Sequence, residues 1–190
     1  IVTGFPQSDT EQIFESLGYD DKLLAVGEIY HSWIIEAPQT LLNEFPVDKT
    51  QSPLNVKIVD DASPYRTVKV RLLNGTHTTM VPIGHLLGFE SVRESVEDAA
   101  LGQFLKDVLF EEIVPSVEGV ATDELQAFAN DVIDRFRNPH IHHRLLAISL
   151  NSIPKFKERL LPSLISYQAK TGNLPLRIVL ALSALIRFYK

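Results

Sequence analysis

Lys69-Val70-Arg71-Leu72-Leu73-Asn74-Gly75-Thr76-His77 sets a lysine, an asparagine and a histidine in the pattern K-x4-N-x2-H. Around the three sit Val68, Val70, Leu72, Leu73, Met80 and Val81, which read as core. A helix here turns by about 100° per residue, so with Lys69 at zero His77 falls at about 80° and Asn74 at about 140°. One face then carries a possible base, an amide donor and an imidazole. A polar trio inside an apolar helix is costly unless each member is satisfied or used. From spacing alone the plainer reading is favoured: a surface lysine, a capping asparagine and a core histidine that finds a partner.

Asp60-Asp61-Ala62-Ser63-Pro64 forms a hinge on the N-terminal side. Ser63 is expected to cap a helix and Pro64 to take its first position. That helix runs from about 64 towards 87, with Gly75, Pro82 and Gly84 as places to kink or break. Ser91-Val92-Arg93-Glu94 fits a capping box. The helix after it is expected to run to about Val114 and stop before Pro115, with Ala99, Phe104, Leu105, Val108, Leu109 and Ile113 in helical period. Thr122 is expected to cap a helix over 123–137, burying Leu125, Phe128, Ala129, Val132, Ile133 and Phe136. Asn138-Pro139 breaks it. Further helices are expected over 140–151, 155–161 and 163–170, and from Leu174-Pro175 to Lys190.

Before the hinge the pattern changes. Ser8-Asp9-Thr10-Glu11 has the chemistry of a helix start, with Ile13, Phe14 and Leu17 on that helix and Gly18 as its stop. Residues 30–37 end in a β-type run cut off by Pro38, and 40–45 form a short helix. Leu54-Asn55-Val56-Lys57-Ile58-Val59 alternates as a second strand. The two strands either pair with each other or extend a sheet that other sequence supplies. The fold class is mainly α: a small α/β segment with two strands over 1–62, then a helical domain over 63–190.

The 190 residues suffice for one sizeable core, and 45% hydrophobic with 22% charged content is ordinary for a globular chain. A net charge of -6 argues against a nucleic-acid partner. It leaves room for an anionic substrate held by a local basic pocket. With no cysteine there is no disulfide framework and no thiolate metal site. The most apolar run, 178–186, is far short of the ~20 residues that span a bilayer. No membrane partner and a cytoplasmic setting are therefore expected.

Several stretches, taken in order, carry a family likeness. They are Ile1-Val2-Thr3-Gly4-Phe5-Pro6, Pro53-Leu54-Asn55-Val56, the K-x4-N-x2-H stretch, Arg135-Phe136-Arg137-Asn138-Pro139-His140-Ile141, and Lys155-Phe156-Lys157-Glu158-Arg159-Leu160-Leu161-Pro162. Together they resemble the long-chain polyol and sugar-acid dehydrogenases, the mannitol dehydrogenase family, across nearly the whole chain. The likeness implies a multihelical C-terminal dehydrogenase domain of the 6-phosphogluconate dehydrogenase type. It also implies that 1–62 is the tail of a nucleotide-binding domain supplied by sequence outside this chain. NAD would be bound mainly there, since no G-x-G-x-x-G fingerprint occurs in the 190 residues. The fragment alone would be inactive.

Within the family the likeness points to the branch acting on keto-uronate/aldonate pairs such as tagaturonate and altronate. It implies Lys69 as general acid/base, with Asn74 and His77 polarising the carbonyl. The lysine's usual value near 10.4 must fall for that role, and burial with Arg71 and other basic residues nearby would lower it. Three histidines lie at 140, 142 and 143, but adjacent ones point about 100° apart and no carboxylate sits at ligand spacing, so no metal is assigned. On residues alone the stretch from Arg135 to His143 is a solvated basic helix start or an anion site. The likeness favours the anion site and places Arg137, Asn138 and His143 at the substrate. Lys155 and Arg159 share a helix face and join them in second rank. A fructuronate reductase or mannitol dehydrogenase of the same family is the nearest alternative. A helical interaction module with no catalysis is the alternative from another class.

Overall fold

Residues from Ser63 to Leu87 are helical throughout, but not in one register. A computed structural model describes residues 3–4, 10–28, 30–44 and 54–190. Helix α2 (Ser63–Val68) passes into a π-helical turn at Lys69–Asn74, which passes into α3 (Gly75–Leu87). The expected kink sites are helical: Gly75 is αR and Pro82 lies inside α3. What departs from the α register is the segment before Gly75, where the Gly75 N–H reaches back to the Val70 carbonyl. Ser63 is the first helical residue and no cap. Its N–H donates to the Asp61 carboxylate at 2.8 Å, and these Ser63 hydrogen bonds hold that carboxyl below its usual range.

The described residues divide into two compact units, Ile1–Asp60 with Asn138–Ile141, and Asp61–Arg137 with His142–Lys190. In the first, α1 (Thr10–Leu17) ends at Gly18, which has φ +78 and donates its N–H to the Phe14 carbonyl. Ser8, Asp9 and Phe45, expected at helix ends, lie outside the described residues. A 3-10 turn at Gln39–Asn43 stands where the short helix was expected. A two-residue antiparallel ladder joins β1 (Thr3–Gly4) to β2 (Val26–Gly27), too short for an alternation pattern to reveal. The two expected strands, β3 (Trp33–Glu36) and β4 (Val56–Val59), do pair. They run parallel, with Trp33 opposite Val56 and Glu36 opposite Val59.

The second unit holds the core. The Ser91 capping box forms in full: Ser91 accepts from the Glu94 N–H, and the Glu94 carboxylate accepts from the Ser91 N–H. The long helix expected after it is divided. Helix α4 (Val92–Glu97) stops at Asp98, whose extended backbone and carboxylate cap α5 (Ala99–Asp107). A second π turn (Val108–Ile113) and a 3-10 turn carrying Pro115 complete the stretch. The α4–α5 corner is so tight that a Cβ on Gly102 would lie 2.4 Å from the Val96 carbonyl oxygen, so only glycine fits. Helix α6 (Thr122–Phe136) buries Leu125, Ala129, Val132, Ile133 and Phe136, although Thr122 is its first residue and gives no side-chain cap.

Residues 140–151 are mostly not helical, contrary to expectation; only α7 (Leu145–Ile148) forms. Pro139 precedes that stretch, and its backbone bonds go elsewhere: Leu145 N–H donates to the Glu90 carbonyl, and Val92 N–H to that of His143. Helices α8 (Ser152–Arg159), α9 (Leu161–Thr171) and α10 (Leu176–Phe188) close the chain. Leu72, Met80, Leu105, Leu109, Ile113, Leu145, Leu160 and Ile178 are all but inaccessible at its centre. No helix among the described residues is long and apolar enough to cross a membrane.

Candidate active site

The π turn rearranges the K-x4-N-x2-H face. An i→i+5 turn takes roughly 4.4 residues, or about 80° per residue, against the 100° of an α-helix. Five such steps put Asn74 at about 40° from Lys69, and three α steps more bring His77 to about 20° on its other side. The three side chains therefore share a face more closely than a uniform helix allows. Gly75 brings a neighbour to that face: a Cβ there would sit 3.3 Å from Leu160 Cδ2 and 3.5 Å from the Arg159 carbonyl oxygen. The end of α8 packs against this bare spot and carries Arg159 to the site.

His77 is buried, with its ring 4.3 Å from that of Phe136 and 5.2 Å, edge-on, from that of His143. Burial first, and then the charges of His143, Arg159, Arg135 and Lys69, push its pKa down to about 3. It is a neutral imidazole at physiological pH, suited to a hydrogen bond rather than to proton transfer. Its Nε2 atom and the Oδ1 atom of Asn74 are buried with no hydrogen-bond partner among the described residues. Buried polar atoms are rarely left so, and two on one face are able to bond the hydroxyl groups of a ligand. The depressed value also has a stability consequence. The unfolded chain protonates His77 below pH 6.5 while the folded chain resists, so stability is complete above 6.5 and declines as the pH falls towards 3. Urea midpoints at pH 7.5 and 5 are expected to fall less in His77→Asn than in the wild type, and an equal fall would refute the assignment.

Lys69 is exposed in this chain, a departure from the buried lysine expected. Its pKa is nonetheless held below the usual lysine value, by partial burial first and then by Arg159 and Arg135. Arg71 plays no part: its guanidinium turns away and donates to Ser163 Oγ at 2.6 Å. No hydrogen bond or ion pair among the described residues ties down the Lys69 ammonium. Arg159 is half-buried and donates to Thr78 Oγ1 at 3.3 Å. His143 is set beside His77 by the 143–145 backbone that pairs with the start of α4.

The other expected residues lie differently. Lys155 donates its ammonium to the Ile148 carbonyl at 2.7 Å, which braces the α7–α8 turn. Asn138 accepts from the His140 N–H in a local turn. Arg137 is exposed at the end of α6, and among the described residues its side chain makes no hydrogen bond or ion pair. The arginine whose charge reaches Lys69 and His77 is Arg135, which sequence reading passed over. Two residues apart on a helix means roughly 200°, so only one of the pair faces the cluster. Phe136, packed on His77 from the core side of α6, was the available signal. No group of three His, Asp or Glu residues suited to a metal occurs among the described residues. Nor do they hold a glycine-rich strand-to-helix turn able to cradle a pyrophosphate, so a dinucleotide is not assigned to them.

This multihelical architecture is that of the C-terminal part of the polyol dehydrogenases. The fold matches D-sorbitol dehydrogenase in substrate-free form with a TM-score of 0.77 at 22% identity, covering 98% of this chain and 37% of that one. It also matches Pseudomonas fluorescens mannitol 2-dehydrogenase, solved as a ternary complex with NAD and D-mannitol, with a TM-score of 0.75 at 23% identity and 98% and 37% coverage. Residues 61–190 match the mannitol dehydrogenase C-terminal domain, and the chain belongs to that family. Over all 190 residues it is 45% identical to the altronate oxidoreductases of Pectobacterium carotovorum subsp. carotovorum and Cronobacter sakazakii. It spans 38% and 39% of their lengths.

Proposed function

We propose that this chain is the substrate-binding and catalytic part of a cytoplasmic NAD-dependent oxidoreductase that interconverts a keto-uronate and an aldonate, in the manner of tagaturonate and altronate. The carrying observation is the single face on which the unpartnered Asn74 Oδ1 and His77 Nε2 meet a lysine held below its usual pKa. Such a face supports catalysis over a purely structural helical module. The altronate oxidoreductase relatives support the sugar-acid substrate. Residues 1–62 would close a nucleotide-binding domain whose remainder lies in the additional length those relatives have. NAD bound there supplies or accepts the hydride.

In the reducing direction the Lys69 ammonium gives a proton to the carbonyl oxygen as its C=O π bond breaks. In the oxidising direction the neutral amine takes the hydroxyl proton. The Asn74 carboxamide and the neutral His77 imidazole hold that oxygen and an adjacent hydroxyl, which fixes the pose. Arg159 and Arg135 add positive charge beside Lys69, and a carboxylate on the substrate would be held by it.

The test is NADH oxidation by the polypeptide complete with its nucleotide-binding domain, using tagaturonate, fructuronate and fructose. Tagaturonate is expected to be the preferred substrate. Arg159→Met is expected to raise KM for the keto-uronate by roughly ten- to a hundredfold, the worth of one charge-assisted hydrogen bond. KM for fructose should hardly move. A preference for fructose, or an equal effect of the variant on both substrates, would remove the carboxylate from the proposal.

A further inference from the structure

Arg159 reaches the site from α8, and its guanidinium donates to one hydroxyl there. Thr78 is buried on the first turns of α3. Its Oγ1 donates to the Asn74 carbonyl oxygen at 2.8 Å and accepts from Arg159 Nη1 at 3.3 Å. Asn74 is the last residue of the π turn whose first residue is Lys69. The hydroxyl therefore ties the end of that turn to the arginine from another helix. A threonine that bonds back onto its own helix satisfies its donor locally. Here the same oxygen has a second partner 81 positions away in sequence.

We propose that Thr78 is a positioning residue whose hydroxyl fixes the Arg159 guanidinium against the π turn that carries Lys69 and Asn74. The proposal rests on the reading of Lys69 as the proton-transferring group. The consequence is electrostatic. Fixed near Lys69, the Arg159 charge disfavours the ammonium, and released it swings towards solvent, where its effect is screened. The charged and titratable groups that bear on Lys69 and its neighbour His77 are Arg159 from α8, Arg135 from α6 and His143 from the segment before α7. Of these only Arg159 is held by Thr78. Valine matches threonine in shape and lacks the hydroxyl, whereas serine keeps it.

The experiment uses the complete polypeptide and has two readouts. One is the pH dependence of kcat/KM for aldonate oxidation, whose rising limb follows deprotonation of Lys69. The other is the pH dependence of amine-reagent labelling at Lys69, followed by peptide mass spectrometry, which needs no turnover. Thr78→Val is expected to move both midpoints upward by about half a unit or more. Thr78→Ser is expected to restore the wild-type midpoints. In an Arg159→Met background Thr78→Val should add no further shift, because the hydroxyl then has nothing to hold. An unmoved labelling midpoint in Thr78→Val, a Thr78→Ser as altered as Thr78→Val, or a full additional shift in the Arg159→Met background would each overturn the proposal. If labelling shifts while the kinetic limb stays, Thr78 positions Arg159 as proposed and the assignment of Lys69 to catalysis fails instead.

Discussion

Lys69→Ala, in the polypeptide complete with its nucleotide-binding domain, is expected to lower kcat/KM for aldonate oxidation by roughly 10²–10⁴-fold, the range a positioned general base contributes. KM should change far less than kcat, because the lysine matters most as the proton moves. The pH profile adds a sign that loss of folding cannot imitate. Oxidation needs the neutral amine, so the wild-type rate climbs as pH rises through the lysine's pKa, which partial burial, Arg159 and Arg135 hold below the usual value. Reduction needs the ammonium, so that rate falls over the same interval. Both limbs should vanish in Lys69→Ala, and added small primary amines should recover part of the oxidation. Near wild-type turnover in the variant across pH 6 to 10 would end the case for Lys69 and leave Asn74 and His77 as a binding pair only.

How much of this could be read from the residues differs from element to element. Ser91 and Glu94 announced their helix because both halves of a capping box are local: each side chain bonds a backbone N–H three positions away. Gly18 marked a helix end for a similar reason, since it adopts a positive φ that other residues resist. The apolar face of α6 followed from period alone. The π turn at Lys69–Asn74 could not be found that way. Leu72 and Leu73 are core in either register, so the apolar pattern does not say whether one extra residue has been fitted into the turn. Angles computed for a uniform helix consequently spread the polar trio too widely. The stretch after Pro139 failed for another reason. Its Leu145 N–H and its His143 carbonyl bond to the segment around Glu90–Val92, a long-range choice that helix propensity does not register. The same limit hid Arg135 behind Arg137, because which arginine faces His77 depends on how α6 is rolled against α3.

Glu112 carries the second large effect, and it concerns stability. It sits on the π turn after α5 with only 3% of its surface exposed. Its two carboxylate oxygens accept from the Arg177 and Ile178 N–H groups, each at 2.9 Å, at the start of α10. No residue of α10 itself caps that end: Pro175, which stands at the N-cap, offers no side-chain acceptor. The carboxylate thus satisfies two orphan donors and opposes the positive end of the helix dipole. The Arg177 guanidinium lies 3.6 Å from it and 2.9 Å from Glu111. Glu112→Ala is expected to cost about 2–5 kcal/mol, the range for leaving two buried N–H donors unsatisfied, since Arg177 keeps its pairs with Asp107 and Glu111. That is a large share of the roughly 5–15 kcal/mol that holds a domain folded. Glu112→Gln keeps one acceptor oxygen and should cost less than half as much. Urea unfolding of the two variants beside the wild type measures both. The last helix packs most extensively on α3, which bears Thr78 and His77, so Glu112→Ala should also weaken substrate turnover without changing its pH profile. A loss under about 1 kcal/mol would mean that water replaces the carboxylate at the helix end and that α10 is held by its apolar face alone.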